Sequence, residues 1–335
     1  MILIDTQKEE FSKLRDIRVF GRISHDDRFN GNLPVARLGG VRSRTVCNLK
    51  GMMVDDIIPE DNIHFLMIDS DIPEMEQTIE DSKEHVGFNA LEVLSIYRPN
   101  IENILADGIK KNPVHPNLAN WMDADFPDVT VTKDGAHGNR QIGRLMFSNA
   151  YEDIRMLLFD RLEEIHDKAN GNWMDVIIVS SLSGGTGSGI LSDLTYNIRA
   201  YGKAKKWANL RIGGCLLMPD VIFGNKSVTE DPELMFRMMA NGCAALKEVD
   251  YYMKLSEKDD AYIFESTTHK LVIRENLFDA CMLVSGKKDS QGYLPEGTVL
   301  MDTASFLYKL ACNKYIGNND VNLSLIHISE PTRPY

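Results

Sequence analysis

The chain has 335 residues, 43% of them hydrophobic and 26% charged, enough apolar material for one large or two ordinary domains. Its formal net charge of −12 argues against a nucleic-acid-binding surface, which would be basic. No uninterrupted apolar stretch reaches membrane-span length and Met1 to Arg15 is too charged for a secretory signal, so a cytoplasmic protein is expected.

Met1 to Asn32 is polar and poorly patterned, an N-terminal extension with one short apolar piece at Ile17 to Ile23. Leu33 to Leu38 reads as a strand running into Gly39-Gly40, and Thr45 to Met53 as a helix. Ile63 to Ile68 is a buried-strand run closed by Asp69-Ser70-Asp71. Short helices are expected around Pro99 within 89–109, and a proline-rich loop over 112–127. A glycine turn, Gly135 to Asn139, leads into one long amphipathic helix over 142–169, with Leu145, Leu158, Leu162 and Ile165 on one face. Strands follow at 175–181, 210–218, 270–274 and 278–285, and helices at 190–206, 234–255 and 298–313. Strands alternating with helices predict a three-layer, Rossmann-like α/β domain with a mostly parallel sheet, whose ligands bind beyond the carboxyl ends of the strands. Cys47, Cys215, Cys243, Cys281 and Cys312 show no metal-ligand spacing and read as structural thiols of a reducing compartment.

The segment richest in chemistry is Leu182 to Gly189, between an apolar strand and a helix. Glycines there let backbone N–H groups approach an anion, the helix N-terminus adds partial positive charge, and Ser183, Thr186 and Ser188 add hydroxyl donors. A Walker loop is excluded because Ile190 stands where its lysine belongs, and the G-x-G-x-x-G pattern fails at the same residue. That missing pattern argues against a nicotinamide-dependent oxidoreductase, although Asp69 could supply the acidic residue that closes its second strand.

Gly184 to Gly189 resembles the signature loop of the tubulin/FtsZ GTPases, G-G-T-G-[ST]-G. Further matches occur in the family's order. Gly135 to Arg144 is similar to the FtsZ γ-phosphate loop and helix start, G-A-G-G-N-x-x-[IV]-G-R. It departs at His137, where the family has glycine; a side chain there either crowds the phosphate or donates to it. Asp69-Ser70-Asp71 resembles the N-T-D loop, whose carboxylates orient waters around Mg²⁺. In the first loop Gly39, Gly40 and Ser43 match, while Arg37, Val41 and Arg42 replace glycines; either Arg42 supplies charge to the phosphates or the loop no longer closes on nucleotide. Arg199 stands where tubulin also carries an arginine. Asn241, in Met239 to Leu246, resembles the asparagine of Y-N-A-x-L; it reads either as a base contact or as an asparagine tolerated in a helix.

The resemblance covers Pro34 to Asn313 and is closest to the bacterial tubulin-like family. It implies a site built from Gly39, Gly40, Ser43, Asp69, Asp71, Gly135, Ala136, Gly138, Asn139, Ser183, Gly184, Gly185, Thr186, Gly187, Ser188, Gly189 and Asn241, taking GTP or GDP with Mg²⁺. It further implies head-to-tail self-assembly into filaments, with hydrolysis completed by a neighbouring subunit's loop. That loop corresponds to a place at or beyond Lys314 to Asn322, where Gly317 to Asp320 reads as a surface turn, so no catalytic residue is assigned. The alternative is a non-hydrolysing tubulin-like scaffold. The expected organisation is an extension over 1–32, a nucleotide-binding domain over 33–313 and the start of a further region over 314–322. Leu323 to Arg333 reads as the translation of a transposase sequencing adapter, which sets 323–335 apart from the fold.

Overall fold

A computed structural model describes residues 31–38, 43–55, 63–82, 87–89, 92–123, 133–171, 173–288 and 292–311. The extension up to Asn30, the first glycine turn at Gly39-Gly40, the Ser43 side chain and everything from Cys312 onward lie outside the described residues.

The strands are β1 (Gly31–Leu38), β2 (Ile63–Asp69), β3 (Val93–Ser95), β4 (Trp173–Ser181), β5 (Leu210–Leu217), β6 (Tyr262–Glu265), β7 (Lys270–Ile273) and β8 (Ala280–Val284). The principal helices are α1 (Ser43–Asp55), α2 (Ile72–Ser82), α3 (Ile101–Ala106), α4 (Arg140–Asn149), α5 (Tyr151–Ala169), α6 (Thr186–Ala204), α7 (Pro232–Tyr252) and α8 (Glu296–Ala311). Six strands form one parallel sheet in the order β3-β2-β1-β4-β5-β8, while β6 and β7 make a separate antiparallel pair.

Both sheet faces are covered, so the central strands are apolar on consecutive residues. Met174, Val176 and Ile178 of β4 point into one core with α4, α5, α6 and α7, through residues such as Leu145, Leu162, Leu194 and Leu246. Ile177 and Val179 alternate into the other core, with Val46 and Leu49 of α1 and Leu300 and Leu307 of α8. This is the expected three-layer α/β fold with a parallel, Rossmann-like sheet.

Strand order reverses between β1 and β4, where an open parallel sheet opens a crevice at its carboxyl edge. Register places the key turns level there: Leu38 at the end of β1 pairs with Ile68 on one side and Ser180 on the other. The segments after β2 and after β4 therefore start from the same edge.

Three expectations are corrected. The single helix over 142–169 is two, because Ala150 leaves helical geometry at φ −92°, ψ 7°. Leu145, Ile154, Leu158, Leu162 and Ile165 stay buried on both sides of the break, so apolar spacing alone does not reveal it. The helix after the signature loop starts at Thr186 rather than Ile190, because the loop's last glycines are themselves helical. Finally, β7 has a partner, β6, and both α2 and β3 form where the sequence reading placed no such element. No described helix is long and apolar enough to cross a membrane.

Candidate functional site

The turn after β2 folds back on its own carboxylates. Asp69 is 1% exposed, and its Oδ1 accepts from the N–H groups of Ser70 (2.7 Å) and Asp71 (3.2 Å). Asp71 Oδ1 accepts from Glu74 N–H at 2.9 Å, holding the first turn of α2. Ile72 N–H donates to Lys133 O, and Asp71 forms a bridge with Asp134, which brings in the turn before α4.

That second turn needs left-handed backbone. Gly135 has φ +96° and Gly138 φ +74°. His137 between them has φ +46°, a region that glycine enters freely and other residues uncommonly, histidine among the more tolerant of them. The Asn139 side chain is taken up as the N-cap of α4, accepting from Gln141 and Ile142 N–H at 3.0 and 3.1 Å. It does not face the cavity.

The third turn, after β4, is the signature loop. Gly185 stands at the cap of α6 and has no side chain to accept from the leading N–H groups of this 19-residue helix. They carry the positive end of the helix dipole. A Cβ on Gly184 would meet nothing within 4 Å, so this residue faces open space. The other glycines serve close approach: a Cβ on Gly185 would lie 2.7 Å from Asn139 N, and one on Gly189 2.3 Å from Arg140 O. The loop is thereby clamped against the start of α4. Ser70 and Thr186 hydroxyls, 2.5 Å apart, tie it to the turn after β2.

These three turns enclose one cavity of about 260 Å³. Of the expected residues, Asp69, Asp71, Gly135, Ala136, Gly138, Gly184, Gly185, Thr186 and Gly187 line it. Asn139, Ser183, Ser188, Gly189 and Asn241 stand behind the lining. Ser183 Oγ lies 2.8 Å from Ser181 Oγ, and Ser188 Oγ accepts from Arg140 Nε at 2.8 Å. Asn241 Nδ2 donates to Gly138 O (2.7 Å) and Ser183 O (3.0 Å), bracing two turns against each other from α7. The lining also holds Ser70, Glu74, Asp134, His137 and Ser181, which were not assigned. A signal existed for Glu74: Asp71-Ile72-Pro73-Glu74 is a helix-start pattern, a cap with proline early and an acid at the third position. Four carboxylates, Asp69, Asp71, Glu74 and Asp134, face the cavity without an accompanying lysine or arginine among its lining residues.

A family model described as tubulin-like matches residues 38–310, most of the chain. The protein belongs to the tubulin-like family. No curated protein sequence matches it. Among solved structures it is similar to CetZ from Methanosaeta thermophila, at 13% identity over 87% of this chain and 56% of that one, with a TM-score of 0.44. A GTPγS-bound protofilament of CetZ2 from Haloferax volcanii gives 11%, 86%, 60% and 0.43 on the same measures. A GTPγS-form protofilament of TubZ from Bacillus thuringiensis serovar israelensis gives 11%, 88%, 60% and 0.43. The chain spans less than two thirds of the length of each.

Buried charge holds this tubulin-like site from behind. Arg144 of α4 makes a two-point contact with Asp193 of α6 at 2.9 and 3.2 Å. Asp193 is 1% exposed and also accepts from the Tyr262 hydroxyl. Burial, then the Asp193 charge, hold the Tyr262 hydroxyl well above its ordinary value. Burial opposes the Arg144 charge, yet Asp193 leaves it above the usual arginine range. Arg140 reaches Glu248 of α7, so α4 is fixed to both α6 and α7. Arg199 donates to Leu277 O and pairs with Asp279, away from the cavity.

Proposed function

We propose that the cavity binds the phosphates of GTP with Mg²⁺, and that the nucleotide domain spans 33–313. The observation that carries the reading is the uncapped start of α6 facing a cavity shared with the turns after β2 and before α4, in a tubulin-like chain. Free N–H groups at a helix start are a general anion site. Mg²⁺ fits the acidic lining as an ion held mainly by phosphate oxygens and water with one or two carboxylates. Among the described residues no set of three or more His, Cys, Asp or Glu is arranged to hold a metal alone. Bound there, Mg²⁺ would offset the repulsion between phosphate and carboxylate.

The proposal extends to head-to-tail self-assembly with a neighbouring subunit completing hydrolysis, a reading that membership of the family supports; the corresponding loop would lie at or beyond Lys314 to Asn322. A non-hydrolysing scaffold is favoured by one feature, the replacement of first-loop glycines by Arg37, Val41 and Arg42. GTP turnover measured on a chain extended through that loop separates the two.

Gly184→Val tests binding directly. Gly184 lines the cavity, and a Cβ placed on it meets no atom within 4 Å. Equilibrium binding of labelled GTP with Mg²⁺ should weaken at least tenfold while the circular dichroism spectrum is unchanged. An original chain that takes up no GTP, or a valine variant that binds equally well, overturns the reading.

A further inference from the structure

Ser70 is where the three turns of the site meet. Its backbone belongs to the turn after β2, and its hydroxyl is in hydrogen-bond contact with that of Thr186 at the start of α6. A Cβ placed on Gly135, in the turn before α4, would lie 3.4 Å from its Oγ. Ser70 and Thr186 both line the cavity, but Ser70 is 0% exposed and Thr186 6%. Two hydroxyls carry two protons, and the contact between them uses one. Among the described residues neither oxygen has another hydrogen-bond partner.

The direction of the contact follows from that count. If Thr186 donated, the Ser70 proton would be left buried without an acceptor, at the full desolvation cost of an unmade bond. If Ser70 donates, its buried proton is paired, and the proton left over belongs to Thr186, the hydroxyl with surface on the cavity. Accepting from Ser70 also steadies a threonine side chain that in a helix otherwise divides between two rotamers.

Resting on the phosphate-binding reading above, we propose that Ser70 is a positioning residue for the bound nucleotide: it donates to Thr186 Oγ1 and so turns the Thr186 proton onto a phosphate oxygen. Ser70 itself does not touch the ligand. A hydroxyl that accepts one hydrogen bond is polarised into a better donor, and an ionised acceptor makes the resulting bond stronger than a neutral one. The two hydroxyls act in series, and what Ser70 contributes to affinity passes through Thr186.

The test measures Mg²⁺–GTP affinity of the full chain, Ser70→Ala, Thr186→Val and the double variant by equilibrium binding. Thr186→Val should weaken binding about thirtyfold, the worth of a bond to a charged acceptor, and Ser70→Ala about fivefold, that of a neutral one. The double variant should bind like Thr186→Val alone. In the original chain the Thr186 hydroxyl proton, followed by NMR, should move downfield and exchange more slowly with water when GTP is added. A pair that only ties the turn after β2 to α6 predicts equal losses in the two single variants and a Thr186 proton that GTP leaves unmoved. Either of those results overturns the proposal while leaving the phosphate site standing. So does a Ser70→Ala chain that binds as tightly as the original, or a double variant weaker than Thr186→Val. The NMR measurement needs no variant, so it decides the matter even where a substituted chain fails to fold. Absence of GTP binding in the original chain overturns the site and the proposal together.

Discussion

Replacing Gly189 by alanine pits two effects of known size against each other. In a solvent-facing helix interior the change is stabilising by up to about 1 kcal/mol, because alanine loses less backbone freedom on folding. In α6 the added Cβ would lie 2.3 Å from Arg140 O and 3.2 Å from Arg144 N, where ordinary contact begins near 3.4 Å. The α4 backbone would have to retreat by about 1 Å, against the pull of the Arg144–Asp193 and Arg140–Glu248 pairs. Forcing an extra methyl into a packed contact costs about 1–3 kcal/mol, at the upper end when the obstruction is main chain. The clash wins, leaving a net loss of about 1–2 kcal/mol. Urea unfolding of the original chain, Gly189→Ala and Gly184→Ala measures it. The first variant should show a lower midpoint at unchanged slope, and the second, whose Cβ meets nothing, should match the original within about 0.5 kcal/mol. A Gly189→Ala chain as stable as Gly184→Ala would refute the claim that these glycines exist for helix contact.

Asp193→Ala should destabilise by about 3–5 kcal/mol in thermal unfolding, since it strands the Arg144 guanidinium and the Tyr262 hydroxyl without their buried acceptor; a loss under 1 kcal/mol would show the cluster to be incidental. His115 is 4% exposed, and burial lowers its pKa despite a hydrogen bond with Asn149. The folded state thus favours the neutral ring, so its contribution is complete above the ordinary value near 6.5 and erodes as pH falls below it. Denaturation between pH 7.5 and 5.5 should show a steeper acid loss for the original chain than for His115→Asn; equal slopes would count against this.

The chemistry of each turn was legible because it is local. Gly184 to Gly189, Asp69 to Asp71 and Gly135 to Asn139 announce themselves by residue type, and strand–helix alternation alone places the first two at the carboxyl edge. What the sequence hid is non-local. The requirement for glycine at Gly143 and Gly189 depends on two helices separated in the chain, since a Cβ on Gly143 would lie 2.4 Å from Gly185 O. The Ala150 break was invisible because burial continues through it with helical spacing. Asn139 looked like a ligand residue and is a helix cap, a role that N-cap statistics favour at that position. The strand β6 escaped because Ile263 is exposed while Tyr262 and Phe264 are buried, a pattern too short to separate from a loop.

Asn241 is where the two kinds of information disagree most usefully. Its resemblance suggested a base contact, yet its amide donates to Gly138 O and Ser183 O and it does not line the cavity. As a brace it acts on phosphate geometry, which GTP and ATP share. As a base reader it would act on discrimination between them. Asn241→Ala removes both hydrogen bonds, each worth about 0.5–1.5 kcal/mol, and leaves two turn carbonyls to find other partners. The bracing role therefore predicts that affinities for GTP and ATP fall together, by about tenfold, with their ratio unchanged. Competition binding of the two nucleotides to the original chain and the variant decides between them. Selective loss of GTP affinity, with ATP binding untouched, would mean that the asparagine turns from the two loops toward the base when nucleotide is present.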